Sequence, residues 1–269
     1  MSTGTDHVPS RHERSYYQRI DDRRYKPTPH TGGAWDPDEQ HFSPLGGLIT
    51  HAIERDRDDR GSALAISRLS FDILGKLALD ECDIRVEVIR PGRTIELVEA
   101  VAEIGGRTAV RARAWLLAPG DTTSVAGGDA APLTPPGELE RWRMSELWSG
   151  GYISSLDARP VSSPQPGRAA VWIASDSDLV VGEAVGPCAS FVTHVDAANG
   201  IAVRRPPNEW MFPNVDLTIH LHRTPEPGWT GLDTTVTFGP DGRGITSTVL
   251  HDTRGHVGHA QQILTVRPL

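Results

Sequence analysis

The sequence has little cysteine, no long apolar run and no excess of basic residues. Its two cysteines, Cys82 and Cys188, fit no Cys/His pattern of metal-ligand spacing, which argues against a disulfide framework and against a zinc site. Because no run of apolar residues is long enough to span a bilayer, no transmembrane helix is predicted. Residues Met1 to Ser15 are polar and lack the apolar core of a signal peptide, so we expect a cytoplasmic protein.

The balance of charge is acidic, with a formal net charge of -8 at pH 7. Binding to nucleic acid needs a basic face that displaces counterions from phosphates, so nucleic acid is not an expected partner. The hydrophobic fraction of 38% and the charged fraction of 23% are those of a folded globular chain. A length of 269 residues allows one large domain or two of ordinary size.

The order of predicted elements divides the chain into two similar halves. Residues 1–14 show no periodicity, which predicts a disordered terminus. An N-terminal domain over 15–118 contains a helix predicted within 36–54 and four later strands, predicted at 66–74, 82–89, 94–104 and 108–117. Residues 119–137 are rich in Gly, Pro, Ser and Thr, the composition of a linker. A C-terminal domain over 138–269 repeats the order, with its helix predicted within 179–196.

The strand predicted at 215–221 has the clearest pattern in the chain, because apolar residues at odd numbers alternate with polar residues at even numbers. Such alternation is typical of a sheet with one buried face. A sheet wrapped around one apolar helix buries both elements, and two such units placed edge to edge would pair their exposed edges. The predicted fold is therefore α+β, a double hot-dog of two tandem antiparallel sheets, each wrapped around a central helix.

Several segments carry a resemblance to a known family. Residues 212–223, 242–247, 250–252, 255–258 and 262–268 resemble the double hot-dog acyl-CoA thioesterases related to bacterial thioesterase II, particularly the actinobacterial members. Residues 40–55 and 196–200 resemble the two central helices of that family more loosely. The resemblance implies hydrolysis of an acyl-CoA partner to free acid and CoA, a part in lipid metabolism, no cofactor and no metal, and assembly into homo-oligomers.

The resemblance also implies three catalytic residues. In that family a helix aspartate, a strand hydroxyl residue and a C-terminal glutamine hold and activate the attacking water. By position these roles fall on Asp196, Asn214 and Gln262. Asn214 departs from the family pattern, because an amide can donate and accept hydrogen bonds but cannot lose a proton.

The residues themselves leave alternatives open. Asp196 could instead bond to nearby backbone in a turn. Gln262 shares its strand face with Ala260 and Leu264, but a register slip by one would put Gln261 there instead. His220 and His222 lie two residues apart like a metal pair, yet no third ligand joins them at a recognisable spacing, which favours a solvated strand face.

Gly46 and Gly47 allow two interpretations. They lack the lysine of a phosphate-binding loop and fit close backbone packing, or, together with Leu48, main-chain amides that bind a thioester oxygen. We predict these three as substrate-binding residues.

Two other functions fit the same fold. A noncatalytic acyl-thioester-binding protein is consistent with the amide at position 214, since fold alone does not establish activity. An enoyl-CoA hydratase or dehydratase is less favoured, because that chemistry needs an aspartate and a histidine close together and no histidine closely follows Asp196.

Overall fold

The structure is a computed structural model that describes residues 14–269. The disordered terminus predicted over 1–14 lies, apart from its last residue, outside the described residues. Within 14–269, no helix is both long enough and apolar enough to cross a membrane.

The first half of the chain contains one long helix and six strands. They are β1 (Tyr17–Arg19), β2 (Arg24–Pro27), α1 (Phe42–Asp59), β3 (Ala65–Ile73), β4 (Cys82–Arg90), β5 (Ile95–Ile104) and β6 (Arg107–Leu117). The segment that follows, 119–137, contains two short 3-10 turns and no strand. The division into domains at this segment stays a prediction.

The second half also contains one main helix and six strands of the large sheet, with two short helices and two short strands in addition. Its elements are α2 (Gly151–Ser154), β7 (Leu156–Pro160), β8 (Arg168–Ser175), α3 (Pro187–Val195), α4 (Ala198–Ile201), β9 (Trp210–Met211), β10 (Asp216–Leu221), β11 (Thr230–Phe238), β12 (Arg243–Asp252), β13 (Gly255–Thr265) and β14 (Arg267–Pro268). Strands β9 and β14 form a small sheet of their own.

The other twelve strands form one antiparallel sheet in the order β1-β2-β4-β5-β6-β3-β10-β13-β12-β11-β8-β7. The first six strands of this order belong to the first half and the last six to the second, and both halves follow the same order from the outer edge inward. The halves join where β3 pairs with β10, with Ser70 opposite Thr218. The predicted α+β arrangement of two sheets joined edge to edge is confirmed.

The second helix is shorter than predicted. Residues 179–186 are not helical, and α3 begins at Pro187. The residue before a proline is disfavoured in helical conformation, and proline itself fits the first helical position. Accordingly Gly186 is extended, with φ -63° and ψ 158°. The prediction of a helix from 179 was therefore wrong for its first two turns.

The helices α1 and α3 pack against each other in antiparallel directions. A Cβ atom on Gly47 would lie 2.1 Å from Thr193 Oγ1, so glycine is what lets the helices approach this closely. Further along, the Glu54 carboxylate accepts the main-chain N–H groups of Cys188 and Ala189 at the start of α3. The close-packing interpretation therefore holds for Gly47, whereas a Cβ atom on Gly46 would lie 3.2 Å from the Phe42 ring of the same helix and 3.7 Å from Val192. The same arrangement brings the start of α1 to the end of α3, where the candidate site lies.

Candidate functional site

Asp196 follows directly after α3 and is buried, with 4% of its surface exposed. A carboxylate at the carboxyl end of a helix meets the negative end of that helix dipole, which is unfavourable. The antiparallel helix α1 offsets this, because its amino end, with the N-cap residue His41, lies beside Asp196. Helix packing thus positions Asp196 between two helix ends.

One oxygen of the Asp196 carboxylate is held by two amide groups. Asn214 Nδ2 donates to Asp196 Oδ1 over 2.7 Å, and Gln262 Nε2 donates to the same oxygen over 2.8 Å. Asn214 lies just before β10, where it forms an isolated bridge with Leu264. The structure therefore brings the three residues predicted as catalytic together at a single carboxylate oxygen.

The strand β13 presents Gln262 to the interior. Gln262 is 2% exposed, whereas its neighbour Gln261 faces solvent. The register predicted from the alternation of Ala260, Gln262 and Leu264 is confirmed. The carbonyl oxygen Gln262 Oε1 is buried without a hydrogen-bond partner among the described residues. Because such an orphaned acceptor is costly, it favours a donor from a water or a ligand.

The other carboxylate oxygen of Asp196 has no donor among residues 14–269. His41 Nδ1 lies 3.7 Å from Asp196 Oδ2, too far for a hydrogen bond. That nitrogen already accepts the Ser43 N–H over 3.1 Å, so the ring proton of a neutral His41 is on Nε2. Burial lowers the pKa of His41 to about 4, which keeps the ring neutral at pH 7. Asp196 Oδ2 is therefore available as a proton acceptor.

Burial also sets the protonation of Asp196. Desolvation raises the pKa of its carboxyl group from 3.8 to about 6, and the hydrogen bonds from Asn214 and Gln262 oppose that rise. A carboxylate with a pKa near 6 is ionised at neutral pH and is a stronger base than an exposed aspartate. These are the properties of a general base that acts on water.

Asp196 and Asn214 line a cavity of about 290 Å³. The start of α1 forms one wall, and the remaining lining includes apolar side chains and two basic residues. The apolar members are Ala34, Trp35, Phe42, Ile73, Leu77, Met211 and Pro213, and the basic members are Lys76 and Arg267. Larger cavities of about 570 and 690 Å³ lie elsewhere and contain none of the three residues around Asp196.

The structure does not bring Gly46, Gly47 and Leu48 to this cavity. They are buried in the second turn of α1 and are absent from the cavity lining. Main-chain N–H groups at that depth in a helix donate to carbonyls of the preceding turn. The substrate-binding role predicted for these residues therefore has no contact with the cavity to support it. The reason is that α1 begins at Phe42, so Gly46 lies past the first turn, and only in the first turn do N–H groups lack an acceptor within the helix.

Sequence reasoning assigned no role to His41, which lies at the cavity wall. The available signal was its place before Ser43-Pro44, since a proline in the first turn marks a helix start and the preceding residues form the cap. Recognising that start would have placed His41 and Phe42, rather than Gly46, at the amino end of α1.

Fold and site together define a double hot-dog protein with a buried carboxylate held by two amides. Comparison of the sequence with protein-family models identifies the family. The acyl-CoA thioesterase N-terminal domain matches residues 31–117, and the acyl-CoA thioesterase C-terminal domain matches residues 129–266. The chain belongs to this acyl-CoA thioesterase family.

Solved structures with the same fold cover nearly the whole chain. A putative thioesterase from Novosphingobium aromaticivorans has a TM-score of 0.70 and 18% identity, and covers 93% of this chain and 98% of its own. A putative thioesterase II from Thermobifida fusca has a TM-score of 0.67 at 18% identity, with 96% and 97% covered. An acyl-CoA thioesterase II from Mycobacterium marinum has a TM-score of 0.67 at 15% identity, with 94% and 95% covered. No curated protein matches the sequence. At these identities the similarity establishes the double hot-dog fold.

Proposed function

We propose that this protein hydrolyses an acyl-CoA thioester to the free acid and CoA, with a water molecule activated by Asp196. The observation that carries the proposal is the asymmetry of the Asp196 carboxylate. Its Oδ1 is fixed by Asn214 and Gln262, while its Oδ2 has no donor among the described residues. Membership of the acyl-CoA thioesterase family supports the choice of a thioester as substrate.

The reaction needs one base and no covalent intermediate. Asp196 Oδ2 takes a proton from water as the water oxygen attacks the thioester carbonyl carbon. The resulting tetrahedral intermediate collapses with cleavage of the carbon–sulfur bond, and the CoA thiolate recovers a proton from Asp196. Asn214 and Gln262 hold the carboxylate in place, and Gln262 Oε1 is free to accept the second hydrogen of the water.

The amino end of α1 suits the charge that develops on the thioester oxygen. His41 and Phe42, at the start of this helix, line the cavity with Asp196. Main-chain N–H groups and the positive end of a helix dipole stabilise an oxyanion most effectively where water is excluded. Ser43 N–H donates to His41 Nδ1 and Pro44 has no N–H, so within this first turn we assign the oxyanion contact to the Phe42 N–H, and not to the second turn that contains Gly46 and Gly47.

The basic residues of the cavity lining suit the phosphates of CoA. Arg267 and Lys76 both reach this lining, and Lys76 Nζ is also paired with Asp36 over 2.6 Å. Arginine binds phosphate oxygens through paired N–H groups, and lysine binds them as a point charge. The apolar lining around Trp35 and Phe42 is then left for the acyl group.

A second candidate function is noncatalytic binding of an acyl thioester, and the observation that favours it is Asn214 in place of the family's hydroxyl residue. Thiol release and binding, measured on one panel of acyl-CoAs of increasing chain length, separate the two functions. The proposal predicts release of free thiol with at least one member of the panel. Binding of these thioesters without any release of thiol would instead show that the protein is a noncatalytic acyl-thioester-binding protein.

The rate of hydrolysis should depend on pH through Asp196. The carboxyl group must be ionised to accept a proton, and burial raises its pKa to about 6. We therefore expect kcat/KM to increase with pH, by roughly tenfold per pH unit below pH 6, and to level off above about pH 7. Steady-state assays between pH 4.5 and 8.5, with controls for the stability of the protein at each pH, measure the profile. An acidic limb with its midpoint near the ordinary aspartate pKa would show that a different group is the base.

A further inference from the structure

A second group of polar side chains lies far from Asp196 in the sheet, around the end of β10 and the start of β13. It includes four histidines and one carboxylate around a cavity of about 690 Å³. They are His220, His222, His256, His259 and Asp129. This cavity shares no lining residue with the one at Asp196. Nothing in the proposed hydrolysis uses it.

We propose that Asp129, His222 and His256 bind a divalent transition-metal ion of the zinc class. Their ligand atoms all lie within 4.8 Å of one another. Asp129 Oδ1 is 3.5 Å from His256 Nδ1 and 3.7 Å from His222 Nε2. A tetrahedral zinc ion with bonds of about 2.0–2.1 Å holds its ligand atoms ~3.3–3.4 Å apart. Asp129 thus lies within a few tenths of an ångström of the required distance from both imidazoles.

The hydrogen bonds of His256 fix its tautomer and place the ring lone pair on Nδ1, the nitrogen 3.5 Å from Asp129. His256 Nε2 lies 3.2 Å from the Gly258 carbonyl oxygen, which can only accept, so Nε2 carries the proton. His256 Nδ1 then carries a lone pair, in agreement with the Ala130 N–H that it accepts over 3.3 Å. Donation of the second ring N–H to a main-chain carbonyl is the usual arrangement of a metal-binding histidine.

His256 Nδ1 in the neutral ring and Asp129 Oδ1 are both acceptors, and they lie 3.5 Å apart. A metal ion between them would bind both atoms. At Nδ1 it would displace the Ala130 N–H, whose contact of 3.3 Å is a long hydrogen bond.

The donor set determines the kind of ion. Two imidazoles and one carboxylate suit zinc and neighbouring first-row divalent ions, whereas calcium and magnesium need oxygen donors. Asp129 is 63% exposed and His222 is 46% exposed, so a fourth position is open to water. Since Asp129 belongs to segment 119–137 and the histidines to the sheet, the ion would fasten that connecting segment to the sheet.

Titration with Zn²⁺ of tag-free protein, freed of metal by a chelator, tests the site. We expect one ion per chain, with affinity reduced about tenfold or more in His222→Ala, His256→Ala and Asp129→Asn. His220→Ala is the matched control, because His220 lies two residues from His222, lines the same cavity and is outside the ligand group. Its affinity should stay within about twofold of the wild type.

Thermal unfolding of the metal-free variants shows whether each one folds. If His256→Ala does not fold, the variants at the exposed positions Asp129 and His222 still test the site. Failure of the wild type to bind Zn²⁺ below about 100 μM would overturn the proposal. Equal binding by wild type and His222→Ala, or equal weakening by His220→Ala, would overturn it as well, since the ion would then be held by the histidine-rich surface at large.

Discussion

Asp196→Asn is expected to lower the rate of thioester hydrolysis by a factor of about 10²–10⁴ while the protein stays folded. Asparagine has nearly the shape of aspartate, and its side-chain oxygen can still accept the N–H groups of Asn214 and Gln262. What the substitution removes is the oxygen that takes the proton from water. The measurement is thiol release at pH 8, with the acyl-CoA that the wild type hydrolyses fastest.

The same substitution should make the protein more stable at pH 8. Burial raises the pKa of Asp196 from 3.8 to about 6, so the folded state disfavours the ionised carboxylate relative to the unfolded state. The stability associated with this group is present below the unfolded pKa and is lost as the pH rises through the folded pKa. At pH 8 Asp196→Asn avoids that loss, which is at most about 3 kcal/mol. Denaturant unfolding should show the gain at pH 8 and little of it below pH 4.

Asp59→Asn is a suitable control, because Asp59 is also an aspartate at the carboxyl end of a helix but is exposed at the end of α1. It should keep wild-type activity and change the free energy of unfolding by less than about 0.5 kcal/mol. Undiminished hydrolysis by Asp196→Asn would exclude Asp196 as the base. Loss of activity together with loss of folded structure would point to a structural role for its carboxylate.

Gln262→Leu is expected to lower kcat by roughly 10²-fold. Leucine fills a similar volume but removes the N–H group that donates to Asp196 Oδ1 over 2.8 Å. It also removes the unpaired oxygen assigned to the second hydrogen of the water. Because that N–H group lowers the pKa of Asp196, its loss should shift the midpoint of the pH profile above that of the wild type. Steady-state kinetics over pH 5–9 measure both effects.

The neighbouring glutamine provides the comparison for Gln262. Gln261 is exposed on the opposite face of β13, where it is paired with Thr218 in the sheet. Gln261→Leu should therefore leave kcat and the pH midpoint unchanged. Similar kinetic defects in both variants would mean that disturbance of the strand, and not the amide contact with Asp196, governs the rate.

The strands could be predicted closely from sequence because alternation of apolar and polar residues reports the buried face of a sheet. The run predicted at 82–89 became β4, Cys82–Arg90, and the run predicted at 108–117 became β6, Arg107–Leu117. Helix bounds were less predictable. Leu179 and Val180, at the start of the predicted helix, are buried, but Val180 forms an isolated bridge with Tyr17 and the helix begins only at Pro187.

The candidate site was predictable only in part. Resemblance indicated Asp196, Asn214 and Gln262, and alternation along β13 indicated which glutamine faces inward. Their meeting at one oxygen depends on tertiary packing that brings the residue after α3 to Asn214, before β10, and to Gln262 of β13. Local patterns do not encode that packing. The substrate-binding residues predicted on α1 were Gly46, Gly47 and Leu48, whereas the residues of this region that line the cavity are His41 and Phe42. The His41 cap, and not the two glycines, marks where the helix begins.

The group of histidines around Asp129 was even less predictable from the sequence than the site at Asp196. For His220 and His222 the sequence favoured a solvated strand face over a metal pair, because residues two apart on a strand share a face without converging on one point. The residues that do converge, Asp129, His222 and His256, come from the connecting segment, the end of β10 and the start of β13. Only the folded sheet and the path of the connecting segment bring them together.

Single-turnover hydrolysis, with wild-type enzyme in excess over an acyl-CoA, tests the central claim most directly because it detects even a slow reaction. The wild type should convert all of the bound thioester to equal amounts of free acid and CoA. Asp196→Asn should bind the same thioester and leave it intact over the same period. Intact thioester recovered from the wild type would contradict hydrolysis by this site, and equal conversion by both proteins would contradict the role of Asp196.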